Sequence, residues 1–356
     1  MKINKYLILS VLAISFLTSC SSDDTPSGDD SLTYDKGLLI VNEGNYGSGN
    51  SSVTYSTADF STQIANLFST ANDAALLGDT AQSLAFHDDE AFIIVNVSNK
   101  IEIVNKETFK SIATISDGLT NPRYIAFSGD YAYVTCWGDG LSATDDYVAV
   151  IDLNTNTIIK NISTKEGPEQ IIEENGKLYV ADKGGYNYGN TIEVIDAATN
   201  EISKVITVGD VPNSLIEVDN KLYVLNGGKP SYADVETAGS LSVINLNTDE
   251  VTETTEFAAG LHPSNLSEAN NALYYTLNNG LYTTAFDEIN TTSNAIFTFD
   301  DVAALYGFAI HDNEVYVGDA VDYSSEGNVY VYTLDGTSVT NFKSGGVSPN
   351  GFYFNE

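Results

Sequence analysis

The 356-residue chain carries three histidines, two cysteines and forty-nine carboxylates against fifteen Lys and Arg. The spacing of these groups decides which chemistries are open. His87 and His311 hold matching places in SLAFHDD and GFAIHDN, whereas His262 stands at the other end of a comparable segment, in GLHPSN. Imidazoles divided between two faces cannot complete one His-rich metal site. No Gly-x-Ser-x-Gly elbow and no phosphate loop occurs. Asp145, Asp146, Asp182, Asp319 and Asp322 are candidates to help hold Ca²⁺, but EF-hand spacing is absent and solvated Asp-rich turns are the expected reading. Catalysis finds little to work with, so no catalytic residue, resident metal or cofactor is expected.

Aromatic rings and amides are better supplied. NEGNYGSGNSS (42–52), TCWGDGLSATDDY (135–147), ADKGGYNYGN (181–190), LNGGKPSYADVETAGS (225–240) and GDAVDYSSEGN (318–328) are Gly-rich segments holding Tyr46, Trp137, Tyr147, Tyr186, Tyr188, Tyr232 and Tyr323. Such rings offer wide contact area at low entropy cost and keep a polar edge, so each either meets a ligand or packs on a neighbouring loop. Trp137, the only Trp, sits beside Gly138 and is the first choice among them. Arg123, Gln170, Asn213, Asn265 and Asn350 fall at the starts of apolar segments. Amides donate and accept, which suits an amide-rich ligand, or equally bonds to water and to one another.

These residues are positioned by a repeat. A turn followed by an alternating segment recurs as NGKLYVAD, DNKLYVLN, NNALYYTL and DNEVYVGD, with looser copies GDYAYVTC, DDEAFIIV and DKGLLIVN. The marker positions are Ile40, Ile93, Tyr133, Tyr179, Tyr223, Tyr274 and Tyr316, spaced 40 to 53 residues apart. Repeats of this length built from several short strands predict a β-propeller. Each unit supports four strands. Strand A opens with Pro or its stand-in (NPRYIAFS, GPEQIIEE, VPNSLIEV, HPSNLSEA), strand B holds the marker, C reads like YVAVID, and D follows an Asx-rich turn. Residues 61–77 allow one short turn of helix at most. GLLIVNEG (37–44) has no strand A before it, and the unmatched GVSPNGFYFN (346–355) is expected to supply it and close a ring of seven blades over roughly 34–356. A begins and B ends on one face, so the long Gly-rich segments share a rim there.

Hydrophobic content of 42% and aromatic content of 11% mark a folded, β-leaning chain, and a net charge of −34 disfavours nucleic acid and anionic lipid surfaces as partners. Lys2 and Lys5 precede an apolar run from Leu7 to Phe16 that is too short to span a bilayer and fits a secretory signal over 1–19. Leu17-Thr18-Ser19-Cys20 resembles the lipobox of bacterial lipoproteins, which implies cleavage before Cys20 and its lipidation. Ser21-Ser22-Asp23-Asp24 resembles the acidic tag that directs some lipoproteins to the cell surface. Residues 20–33 then read as a lipidated Cys and a flexible acidic tether. Cys136 is left without a disulfide partner.

The Pro-x-x-hydrophobic strand, the Tyr-Val strand and the Val-Ile-Asp strand together resemble the YVTN family of propeller repeats over nearly all of the mature chain. With the lipobox, the acidic tag and the opening GLLIVNEGNYGSGNSSVTYS, the chain is similar to surface propeller lipoproteins of Gram-negative bacteria. One branch of these, the BtuG type, captures cobalamin and passes it to a TonB-dependent transporter. The resemblance implies a lipid-anchored outer-membrane protein facing the medium that binds a small ligand such as a corrinoid. The alternatives are a protein- or glycan-interaction propeller and, less favoured, a metal-dependent lactonase or hydrolase. On the first reading Tyr46, Arg123, Trp137, Gln170, Tyr186, Tyr188, Asn213, Tyr232, Tyr323 and Asn350 are the expected ligand contacts.

Overall fold

The computed structural model describes residues 33–355; the signal segment, Cys20 and the tether up to residue 32 lie outside the described residues. Among the described residues, twenty-eight strands form seven four-stranded antiparallel sheets arranged as the blades of a propeller. In six blades the strands run A to D in chain order, as in Pro168–Glu174, Lys177–Asp182, Thr191–Asp196 and Glu201–Thr207 of blade 4. Blade 1 differs in the expected way. Its innermost strand is the C-terminal segment Pro349–Asn355, which pairs antiparallel with Gly37–Asn42, setting Phe352 opposite Ile40 and Phe354 opposite Leu38.

Local chemistry explains the blades. The A–B hairpins turn on Asp219-Asn220, Asn270-Asn271 and Asp312-Asn313, each pair with both φ angles positive. Such turns match the twist of paired strands, and Asn and Asp tolerate that backbone best among residues with a side chain. The marker tyrosines are buried between blades, and the hydroxyls of three of them reach the C–D turn of the following blade. Tyr133 donates to Asn200 (2.7 Å), Tyr179 to Asp249 (2.7 Å) and Tyr223 to the carbonyl of Phe286 (3.2 Å). Apolar side chains of facing sheets fill the space between, as where Ile192, Val194 and Ile206 of blade 4 meet Leu215, Leu222 and Val224 of blade 5. The only helix among the described residues is Leu67–Ala71, which buries Leu67, Phe68 and Ala71 beside blade 1.

One irregularity recurs in all seven blades. The A–B register slips just after strand A begins, as between Pro122 and Ile125 and between Pro168 and Ile171. Pro lacks an N–H and is tolerated at a strand start. The bulge behind it re-aims the next side chains toward the centre of one rim, and this is what builds the site.

Candidate functional site

The residue directly after the opening Pro, or its stand-in, is Gln82, Arg123, Glu169, Asn213, Ser264, Tyr306 and Asn350 in blades 2 to 7 and 1. Arg123 and Glu169 form a nearly buried ion pair, with Nε and Nη2 donating to the two carboxylate oxygens at 2.9 and 2.8 Å. Burial alone would lower the Arg123 pKa and raise that of Glu169. Their mutual charge overrides burial, raising the guanidinium and holding the carboxyl below its usual range, with Lys183 at 3.9 Å assisting. The guanidinium also lies 4.1 Å from the centre of the Trp137 ring, a cation–π contact. Trp137 is only 8% exposed, and its Nε1 donates to the carbonyl of Pro168 at 3.0 Å. Arg123 and Trp137 are thus a floor, with most of their polar capacity spent inside the protein.

Tyr186 stands on this floor, its ring edge-on to Trp137 at 5.8 Å, and is itself 72% exposed. With Tyr46 (85% exposed), Leu141, Asn121 and the 138–140 turn it bounds an open depression of about 530 Å³. The loops of blades 1, 3 and 4 therefore meet over the middle of one rim. On the other side, Asn45 donates to the carbonyl of Tyr323 at 3.2 Å, and Tyr323 packs edge-on against Tyr306. The Tyr306 hydroxyl donates to Glu43 at 2.6 Å, and Asn350 donates to the same carboxylate at 3.1 Å. Burial raises the Glu43 pKa, while these two bonds and the nearby Arg123 charge pull against it. Below lies a channel cavity of about 290 Å³, lined by Tyr124, Gln170, Asn265, Phe308, Asn350 and Tyr353 among others.

The predicted residues are distributed unevenly over this site. Tyr46 and Tyr186 face the depression, Trp137 and Arg123 underlie it, and Tyr323 flanks it. Gln170 and Asn350 line the channel below. Tyr188 and Tyr232 are exposed but border neither cavity. Several amides stitch blades together: Asn213 donates to Pro263 O (3.0 Å), Asn350 to Gln82 O (2.9 Å), and the Gln170 carbonyl accepts from Leu215 N (2.9 Å). Tyr147 is buried, exchanging hydrogen bonds with Gly118 O and Thr120 N. The expectation of solvated turns holds for exposed Asp145 and Asp322 but fails for Asp146, Asp182 and Asp319, all buried at 3% exposure or less. Asp319 accepts from Ala304 N, Val321 N and Asn328, so it serves the backbone of its own blade. Glu43, Glu169 and Tyr306 were missed by sequence reasoning. The signal for Glu169 was present, since it follows Pro168 as Arg123 follows Pro122 one repeat earlier. His87 and His311 stack on Phe127 and Phe354 at the opposite end of the inner strands, away from His262, which contacts Gly227 O and Glu236 on the rim.

A family model described as a domain of unknown function, DUF5074, matches residues 36–349. No curated protein matches the sequence. Among solved structures, the chain is similar to a quinonprotein alcohol dehydrogenase-like protein from Bacteroides thetaiotaomicron, with a TM-score of 0.69 at 15% identity over 91% of this chain and 79% of that one. It also resembles a functionally unknown protein from Desulfotomaculum acetoxidans, with a TM-score of 0.65 at 11% identity over 90% and 98% of the two chains. BamB from Moraxella catarrhalis aligns with a TM-score of 0.52 at 15% identity over 88% and 84%. At these identities the likeness concerns the fold.

Proposed function

The chain belongs to the DUF5074 family, and from that premise we propose that it is a non-catalytic binding propeller whose long-loop rim takes a flat, amide-bearing small ligand. The observation that carries this reading is the pairing of highly exposed Tyr46 and Tyr186 around an open depression floored by Arg123 and Trp137. Exposed rings held by loops from different blades present apolar faces without blocking the polar edges that fix orientation. The arrangement asks for no charge partner, because Arg123 is already neutralised by Glu169. In the setting implied by the lipobox and acidic tag, the protein is anchored by lipid to the outer membrane, faces the medium and hands its ligand to a TonB-dependent transporter. A corrinoid such as cobalamin is the specific candidate, on the strength of the family resemblance.

Corrinoids absorb where Trp emits, so bound cobalamin should quench the single Trp137, which lies under the depression. Titration of the purified protein, checked by calorimetry, is expected to show saturable quenching that is lost in Tyr46→Ala with Tyr186→Ala and depends weakly on salt. Absence of binding at micromolar protein would reject cobalamin. The second reading, a protein or glycan partner, is favoured by Tyr232 and Val235, which are exposed on the 225–240 loop outside the depression.

A further inference from the structure

Under the loop that carries Tyr186 and Tyr188 lie three buried carboxylates that the rim site does not use. Asp182 ends strand B of blade 4 and is 1% exposed; Oδ2 accepts from Thr191 Oγ1 at 2.7 Å, while Oδ1 has no hydrogen-bond partner. Glu193, on the adjacent strand, lies diagonally opposite in the pairing that sets Asp182 against Thr191, and it accepts from Lys165 N at 3.2 Å. Asp146, just before strand C of blade 3, accepts from Gly167 N at 2.8 Å through Oδ1, and its Oδ2 is unpartnered. The charges facing the group from the surrounding segments are Lys165, Glu166 and Asp145, of which only Lys165 is positive. Three buried anions with one exposed ammonium cannot all ionise without a counter-ion or a proton. Among the described residues no three His, Cys, Asp or Glu side chains are placed to hold a metal ion.

We propose that Asp146, Asp182 and Glu193 are a proton-binding latch that holds the 183–190 loop, and with it Tyr186, in order on the acid side of neutrality. The latch reaches the loop through its backbone. Gly167, whose N–H is fixed by Asp146, accepts from Lys183 N at 2.9 Å, and a Cβ on Gly167 would stand 1.8 Å from Gly185 N. The other end of the loop closes on Asp182 itself, where a Cβ on Gly189 would stand 2.0 Å from the Asp182 carbonyl. Protonation gives a carboxyl an O–H that can donate to a neighbouring oxygen now left without a partner; full ionisation leaves only acceptors, and they repel. Consistent with this placement, burial pushes Asp146 up to about 6, and burial reinforced by Glu193 raises Asp182 further from its ordinary value. Because these folded-state values are raised, the stability they contribute is fully present below the unfolded carboxylate range and is lost as pH rises through the folded ones. The latch stands whether or not the rim takes a ligand.

The test uses the unliganded protein in calcium-free buffer between about pH 5 and about pH 8. Trp137, bonded to Pro168 and packed on Tyr186, reports the loop by fluorescence, and hydrogen exchange reads the 183–190 amides directly. Protection of those amides, corrected for intrinsic exchange, should fall roughly tenfold across that range. In Asp182→Asn with Glu193→Gln the dependence should shrink to the part that Asp146 carries, and Tm at about pH 8 should exceed that of the parent by about 3 °C. Asp89→Asn, at an exposed carboxylate, controls for net charge. Should the double variant fail to fold, carboxyl ¹³C titration of the parent decides, since midpoints for all three groups in the ordinary range would overturn the latch. So would a double variant that follows the parent's pH curve, or millimolar Ca²⁺ raising the parent's Tm at about pH 8 while leaving the variant unchanged, which would make this a cation site.

Discussion

Ending the chain at Ser348 removes the strand Pro349–Asn355 and leaves Gly37–Asn42 as the inner edge of blade 1. Phe352 is lost from the cluster it shares with Leu38, Ile40, Tyr316, Val329 and Val331, and Tyr353 and Phe354 are lost from partly buried positions. At about 1.5–3 kcal/mol for each large apolar side chain, their burial comes to about 5–9 kcal/mol. The side-chain bonds from Asn355 to Tyr34 O and Lys106 O, and from Asn350 to Gln82 O, add about 1 kcal/mol each. A typical domain has only about 5–15 kcal/mol in total. The truncated protein is therefore expected to lose most of its cooperative unfolding transition and to associate through the uncovered edge. Thermal unfolding by circular dichroism and mass by light scattering test this. A peptide of residues 348–356 added in excess should restore part of the lost stability by refilling the edge. Phe352→Ala is the graded version, with an expected loss of about 3–5 kcal/mol. A truncated chain that stays monomeric with an unchanged Tm would refute ring closure as a source of stability.

Arg123→Met should destabilise by about 3–5 kcal/mol in urea unfolding, because Glu169 is left buried without its partner; adding Glu169→Leu should recover most of the loss, and a double variant no better than the single would contradict the pairing argument. Burial pushes the Cys136 thiol up to about 12, so a thiol reagent at about pH 8 should leave the native protein unmodified and react only on unfolding. Cys20→Ala should abolish incorporation of labelled fatty acid in cells, and continued labelling would reject the lipobox reading.

Blade number, ring closure and the face that carries the long loops could be read from the chain because the signals are local. An Asp-Asn turn and an opening Pro each act within one hairpin, and their recurrence together with the marker Tyr counts the blades. The rim also followed, since strand alternation alone sends every long B–C loop to one face. The fate of individual side chains did not follow. Trp137, expected as a contact, became a floor because Arg123, 14 residues earlier, and Pro168, in the next blade, enclose it. Asn213 and Asn350 were drawn off to carbonyls of neighbouring blades, and Asp146, Asp182 and Glu193 met only when the blade 3 and blade 4 segments folded over one another. The bulge in strand A explains part of the shortfall. It puts two consecutive residues opposite one partner, so Glu169 and Gln170 serve the rim and the channel respectively, a division that simple alternation does not predict. The sequence thus determined the scaffold, whose signals lie within a repeat, and tertiary structure decided which polar groups remain free, because their partners lie a whole repeat away or across the ring.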